Sequence, residues 1–414
     1  MGEFGGVIAS KNRKIKLPID NDPGILYPYL MTTLSLTMSL LEKDTVYFPH
    51  VPLNQSNMTS VSPKIQLVHK SNNHQHATLR DVAEFAGVSI KTVSRVVNHQ
   101  NEISEETRQR VQAAIDQLDY RPNVLARSLI HQRSKTLGVI AWGIDYYGPS
   151  RTVVGIEQEA NELGYSLFLC LVNHPTDDHQ QILDTLISRR VEGIIWAIPE
   201  VGDNRNWVQT NHLDQLPPVI FLSMAARPGI SVVSVDNRNG AKQAVRHLLQ
   251  QGRRKIGIIT GPMAWWEARE RFAGWQEALG EAGLQASPAL VFNSDDWSAV
   301  NGECGMRALL AQAPDLDAVF ASSDQIALGA MGIAHQLGRL VPRELAVVGF
   351  DNTPEAAFFW PPLTTIYQQL IDVGRIAVKN LHAMIVARQS QNEPLLPSFT
   401  VLKPELIIRA SSSN

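Results

Sequence analysis

Cysteine is almost missing from this chain: only Cys170 and Cys304 occur in 414 residues, each alone in an apolar or mixed stretch. Two isolated thiols build neither a disulfide framework nor a zinc site, so both read as packing residues suited to a reducing, cytoplasmic compartment. Long hydrophobic runs are missing too. No stretch of eighteen apolar residues exists, and the nearest imitation, MTTLSLTMSLL at 31–41, lacks a basic flank and a small-residue cleavage site. Neither a membrane span nor a secretory signal is therefore expected. Charge of one sign is also scarce: 37 Lys and Arg against 40 Asp and Glu leave −3, so any basic surface must be local. A nucleophile elbow, a phosphate-cradling glycine loop, a zinc motif and an arranged acid/base pair are absent, so no enzyme and no cofactor or metal is expected.

What remains is a globular composition, 44% hydrophobic and 19% charged, long enough for two or three domains. Residues 1–76 stand apart, with scattered prolines, polar runs and no sustained period; they are expected to form a poorly ordered leader. His69, His74 and His76 lack the regular spacing of a metal site and read as solvated.

The segment TLRDVAEFAGVS at 78–89 reads as a helix, a tight turn and a second helix start. Thr78 suits an N-cap with Asp81 near the capping-box position, and Gly87 suits a left-handed helix end. Ser89 then caps a helix over 90–98 that turns Val93, Val96 and Val97 inward and leaves Ile90, Lys91, Ser94, Arg95 and Asn98 outward. A helix presented in this way enters the major groove with its N-terminal side chains at base edges. Arg95 suits a bidentate contact to guanine and Lys91 suits guanine or phosphate, while Thr78, Thr92, Ser94 and Asn98 suit phosphates. An ordinary helical hairpin with a solvated face shows the same local pattern.

The next residues narrow the choice. A third amphipathic helix is expected over 104–118, with Val111, Ile115 and Leu118 inward, followed by YRPNVLARSL at 120–129. TLRDVAEFAGVS, KTVSRVVN and YRPNVLARSL in this succession resemble the lactose/galactose repressor (LacI/GalR) family of transcription regulators, over residues 78 to about 412. The resemblance implies an α/β fold: an N-terminal helix-turn-helix domain plus a two-lobed periplasmic-binding-protein-like core with parallel sheets. It implies a hinge helix over 123–129 whose Leu129 wedges into the minor groove, with Ala126 at the contact between two hinges. It further implies a homodimer on a pseudo-palindromic double-stranded DNA operator. The sequence ends without a tetramerising leucine heptad, in keeping with a dimer.

From residue 137 onward, β-branched runs alternate with amphipathic stretches, as in parallel sheets flanked by helices. Nine runs are many for one sheet, so two subdomains are expected, about 136–233 with 364–395 and about 234–363 with 396–412, with the later runs at 364–368 and 399–408 as candidates for crossing back between them. The helix-turn-helix domain occupies 77–121 and the hinge and linker 122–135.

Ligands of such sheets sit beyond the carboxyl ends of strands, and a cleft between two lobes is a natural site. Asp351 in VVGFDNTPE, Ser323 and Asp324 in FASSDQIALGAM, Arg271 in RERFAGW and Trp297 in DWSAVNG are the candidates, with Trp142 and Tyr146 from the opposite lobe. A carboxylate and a guanidinium together grip vicinal hydroxyls, and an aromatic ring stacks on a sugar face. These positions resemble the effector contacts of sugar-responsive family members. Asp324 equally suits a helix N-terminus, Arg271 with Asp351 a structural ion pair, and Trp297 plain core. A repressor governed by a small sugar-like effector is the expectation. A co-repressor-dependent regulator with a non-sugar effector is the alternative, and a sugar-binding protein without DNA activity a more distant one.

Overall fold

The computed structural model describes residues 77–98, 103–121, 133–175, 177–209, 213–390 and 395–413. The hinge residues Ala126 and Leu129, and the leader with its three histidines, lie outside the described residues.

Three short helices come first. Helix α1 (Leu79–Ala86) starts at Thr78, whose side chain and backbone exchange a capping box with Asp81, and stops at Gly87, left-handed with φ 64°. Helix α2 (Ile90–Val97) is capped by Ser89 and α3 (Glu105–Gln117) by Ser104. Val82, Ala83, Ala86, Val93, Val96, Val111, Ala114 and Tyr120 form their common core. Val97, Ile115 and Leu118 pack at its rim rather than inside, because helices this short close only one layer of side chains.

The remaining chain builds two sheets. The first has the order β11-β5-β4-β3-β1-β2, with all its pairings parallel. Its strands are β1 (Thr136–Ala141), β2 (Ser166–Leu171), β3 (Gly193–Ala197), β4 (Val219–Leu222), β5 (Val232–Val235) and β11 (Phe399–Leu402). Helices α4 (Tyr147–Glu162) and α10 (Leu370–Gln389) cover one face with Ile156, Val373, Ala377 and Leu381. Helix α5 (His179–Ser188) covers the other with Ile182, Leu183 and Leu186. Gly155 and Gly374 let α4 and α10 cross in backbone contact: a Cβ at either would collide with a main-chain atom of the other helix.

The second sheet, ordered β7-β6-β8-β9, is parallel as well. Its strands are β6 (Ile256–Ile259), β7 (Val291–Phe292), β8 (Ala318–Ala321) and β9 (Ala346–Val348). Helices α6 (Asn237–Gln250) and α7 (Trp266–Glu281) pack on one face through Val245, Leu248 and Trp275. Helices α8 (Ala299–Gln312) and α9 (Asp324–Gln336) pack on the other through Met306, Leu309 and Ile326. All nine expected runs contain a strand.

The crossings between lobes fall partly at other points than the sequence indicated. Strand β5 runs to Val235, so the first crossing falls just after it, close to the expected boundary at about 233. Strand β10 (Thr365–Tyr367) stays with the second sheet, through bridges from Thr364 to Val348 and from Tyr367 to Asp351. The run at 399–408 divides at Pro404, which has no amide hydrogen to donate. Its first half, β11, pairs with β5 in the first sheet, and its second half, β12 (Glu405–Ile407), pairs antiparallel with β10. Residues 396–412, expected in the second lobe, are therefore shared between both. The Asp236 amide donates to the Leu402 carbonyl at 3.0 Å, tying two of the three crossings together.

Candidate functional site: a reading helix and an interlobe cleft

On the reading helix, Ile90, Lys91 and Asn98 are exposed, whereas Thr92, Ser94 and Arg95 are half-buried. Two of the hydroxyls assigned to phosphates already have local partners. Thr78 Oγ1 donates to Asp81 Oδ2 at 2.8 Å, and the Thr92 hydroxyl shares a 2.9 Å hydrogen bond with that of Ser89. The Thr78 contacts also hold the Asp81 carboxyl below its usual range, the backbone hydrogen bond contributing most. The Asn98 amide reaches back to Ser94 Oγ at 3.4 Å. Caps thus fix the start of α2 before any DNA arrives, and this keeps Ile90 and Lys91 on a defined first turn.

The cleft lies where strand ends of the two sheets face each other, around a cavity of about 80 Å³ that opens to solvent. Backbone contacts join its two sides. The loop after β3 and the loop after β6 meet at a bridge between Val201 and Trp265, where the Gly202 amide donates to Ala264 O at 2.9 Å and the Trp266 amide to Glu200 O at 2.8 Å. Trp265 is packed edge-on against Tyr146 at 5.8 Å and against Trp297 at 5.6 Å, so aromatic rings from both lobes wall the cavity.

Arg271 sits on α7, nearly buried. Its Nε donates to Asn237 Oδ1 at 2.8 Å, one Nη to the Ser322 carbonyl at 2.5 Å and the other to Gln368 Oε1 at 3.3 Å. The guanidinium lies over the Phe350 ring at 3.8 Å and faces Asp351 Oδ1 at 3.8 Å. Burial lowers the pKa of Arg271, while the carboxylates around it oppose that shift. Burial likewise pushes Asp351 up to about 7, with Arg271 pulling the other way and Gln368 donating to Oδ1. Asp351 has φ 123° and its neighbour Asn352 φ 52°, backbone that non-glycine residues rarely adopt and that surrounding contacts must hold.

The Asp351 amide donates to Ile366 O at 2.8 Å and the Asn352 amide to the Thr365 hydroxyl at 3.2 Å. Behind them sits Asp324, which is fully buried and is not among the cavity-lining residues. Its Oδ2 accepts the Thr353 amide at 2.7 Å and its Oδ1 the Thr365 hydroxyl at 2.5 Å. Burial raises its pKa to about 6 despite these hydrogen bonds. Asp324 was grouped with the effector contacts; its side chain instead points under the loop that carries Asp351. Trp142 also misses the cavity lining, since its indole N–H donates to Asn173 O at 3.1 Å and its ring packs on Trp265 at 5.2 Å. The other five sequence candidates, Tyr146, Arg271, Trp297, Ser323 and Asp351, do line the cavity.

Sequence reasoning missed Tyr147, Asn237, Trp265, Glu267 and Gln368, which line the same space. Asn237 and Gln368 follow strands β5 and β10, so the strand-end rule reaches them. Glu267 lies one helical turn before Arg271, at the spacing that places both on one face. Among the described residues, no group of three His, Cys, Asp or Glu is placed to hold a metal ion.

These features define a helix-turn-helix protein with a two-lobed ligand-binding core. Residues 78–123 match the model of bacterial regulatory proteins of the lacI family, and residues 245–412 a periplasmic binding protein-like domain. The chain is 33% identical over 340 residues to the HTH-type transcriptional repressor PurR of Glaesserella parasuis, spanning 82% of this chain and 99% of that protein. The crystal structure of the lac repressor dimer bound to operator and the anti-inducer ONPF superposes with a TM-score of 0.72 at 31% identity, covering 82% of this chain and 99% of that one. A transcriptional regulator CelR–cellobiose complex gives a TM-score of 0.60 at 30% identity, with 81% and 99% covered. The chain belongs to the lacI family of DNA-binding transcriptional repressors; it is a regulator, not an enzyme.

Proposed function

We propose that this repressor acts as a cytoplasmic homodimer on a pseudo-palindromic operator and is controlled by a small, sugar-like effector in the interlobe cleft. The observation that carries the effector reading is the pairing of Arg271 with Asp351 inside a cavity walled by Tyr146, Trp265 and Trp297. Aromatic faces cover the apolar side of a sugar ring, and the carboxylate accepts from its hydroxyls. A structural relative solved with cellobiose supports the same ligand class.

On the DNA side, Ile90, Lys91 and Arg95 read the major groove, and Thr78, Thr92, Ser94 and Asn98 set register on phosphates. Leu129 and Ala126 add the minor-groove contact of the reading. Support for the dimer comes from large apolar side chains left bare on the second lobe, with Phe358 87% and Trp360 91% exposed, and from the dimeric lac repressor relative. The effector favours one closure of the lobes, which shifts the paired first lobes and changes operator affinity.

Thermal-shift screening of the full chain against neutral sugars, sugar phosphates and nucleobases tests the effector class. A saturable shift with a sugar, lost in Asp351→Ala, is expected; a shift confined to nucleobases contradicts the reading.

A further inference from the structure

We infer that Glu267 sets the charge class of the cleft ligand: it selects uncharged, hydrogen-bond-donating molecules and rejects their phosphorylated or carboxylated counterparts. The inference rests on the cleft being the effector site, and it names a residue and a selection rule that the sugar reading does not contain.

Glu267 occupies the first turn of α7, is only 9% exposed and lines the cavity, yet its Oε2 has no hydrogen-bond partner among the described residues. A buried carboxylate oxygen left unpaired is costly, and such atoms persist where a ligand completes them. Ser223, from the loop after β4, and a backbone amide of its own helix turn donate to the carboxyl but leave Oε2 without a partner, and Glu200 in the facing loop already binds Arg227 at 2.7 Å. Trp297 Nε1, in the same cavity wall, is buried and unpartnered too. The cavity therefore presents one vacant acceptor and one vacant donor, the complement of a hydroxyl-bearing molecule.

The charges around the cavity point the same way. Its charged lining residues are Glu267, Asp351 and Arg271. Three of the five N–H groups of Arg271 are taken by Asn237, Ser322 and Gln368, and its charge already faces Asp351, so that charge is largely offset before a phosphate arrives. An anionic ligand would sit beside two carboxylates, which repel it at short range. The helix N-terminus favours ionised Glu267, whereas burial pushes its pKa up to about 7. A neutral donor resolves that conflict by hydrogen-bonding the carboxylate without adding charge.

The test is isothermal titration of the full chain with matched pairs: glucose and glucose 6-phosphate, ribose and ribose 5-phosphate, cellobiose and cellobionate, adenine and adenosine monophosphate. For whichever neutral member binds, the anionic partner is expected at least about tenfold weaker. Glu267→Gln, which keeps shape and removes charge, should narrow that ratio to under about threefold, and Glu267→Ala should weaken the neutral member about tenfold. Thermal melts of both variants confirm folding. An anionic member binding as well as its neutral partner, or an unchanged ratio in Glu267→Gln, overturns the inference while leaving the sugar reading intact. Adenine binding without any saccharide overturns the sugar reading while the selection rule is still decided by the nucleotide; no binding by any compound overturns both.

Discussion

Asp324 braces the loop that carries Asp351 without reaching the cavity. Its two carboxylate oxygens take the Thr353 amide at 2.7 Å and the Thr365 hydroxyl at 2.5 Å, on either side of the loop where Asp351 adopts φ 123°. One carboxylate meets the ligand space and the other supports it, so their substitutions should separate. Both substitutions should cost stability, Asp351→Ala by leaving the buried Arg271 guanidinium without its carboxylate. Only Asp351→Ala also removes a group from the ligand space, and it is expected to weaken effector binding at least about tenfold. Asp324→Ala should destabilise the second lobe by about 2–4 kcal/mol, since it orphans a buried amide and a hydroxyl. Urea titration combined with calorimetric binding checks the pair; equal losses of binding in the two variants would refute the division of roles.

Glu267 gives a prediction in pH. Its folded pKa is raised from 4.5 to about 7, so the folded state binds this proton more tightly than the unfolded chain. The resulting penalty on folding is absent below the unfolded value, grows between about pH 4.5 and 7 and levels off above. Glu267→Gln should accordingly match the unliganded wild type at pH 4.5. At pH 8 it should exceed it, by on the order of 2 kcal/mol. Denaturant unfolding at the two pH values measures this, and a gap that shrinks as pH rises would contradict it.

On the reading helix, Arg95→Ala is expected to lose about 10- to 100-fold in specific operator affinity and to relax discrimination at one base pair, while non-specific binding falls far less. Lys91→Ala should lower affinity and flatten the salt dependence. Binding-site selection from randomised DNA, repeated with each variant, reads both. An unchanged selected sequence with Arg95→Ala would remove it from base readout.

Thr78 has a structural duty that competes with its proposed phosphate contact. Thr78→Ala breaks the capping box and should cost about 1 kcal/mol of stability in the three-helix domain. Thr78→Ser keeps the cap and should restore stability and operator affinity together. Thermal melts and gel-shift titration of the two variants check it.

The placement of the cleft was legible in the sequence because ligands of parallel sheets gather at strand carboxyl ends, and strand runs are visible as β-branched blocks. Direction was not legible. Ser323 and Asp324 both follow β8, yet Ser323 lines the cavity while Asp324, the first residue of α9, turns beneath the neighbouring loop. Trp142 follows β1, but its N–H is taken by Asn173. Glu267 and Gln368 escaped because the reading looked for charge pairs in motifs, and these two reach Arg271 and Asp351 from a helical turn and a crossing strand. The run at 399–408 held the one breaker, Pro404, that divides it between two sheets. For the reading helix, the cap residues and the small apolar face were sufficient, since local hydrogen bonds decide where so short a helix begins.

The account stands on coupling between the cleft and the DNA. Its most direct test is fluorescence anisotropy of the full chain on a selected operator, with and without the saccharide that gives the largest thermal shift, at two salt concentrations. The account predicts a specific, salt-sensitive complex whose Kd changes at least about tenfold with the saccharide, a change lost in Asp351→Ala. A complex whose Kd is the same with and without the bound saccharide, or no specific complex at all, would contradict it.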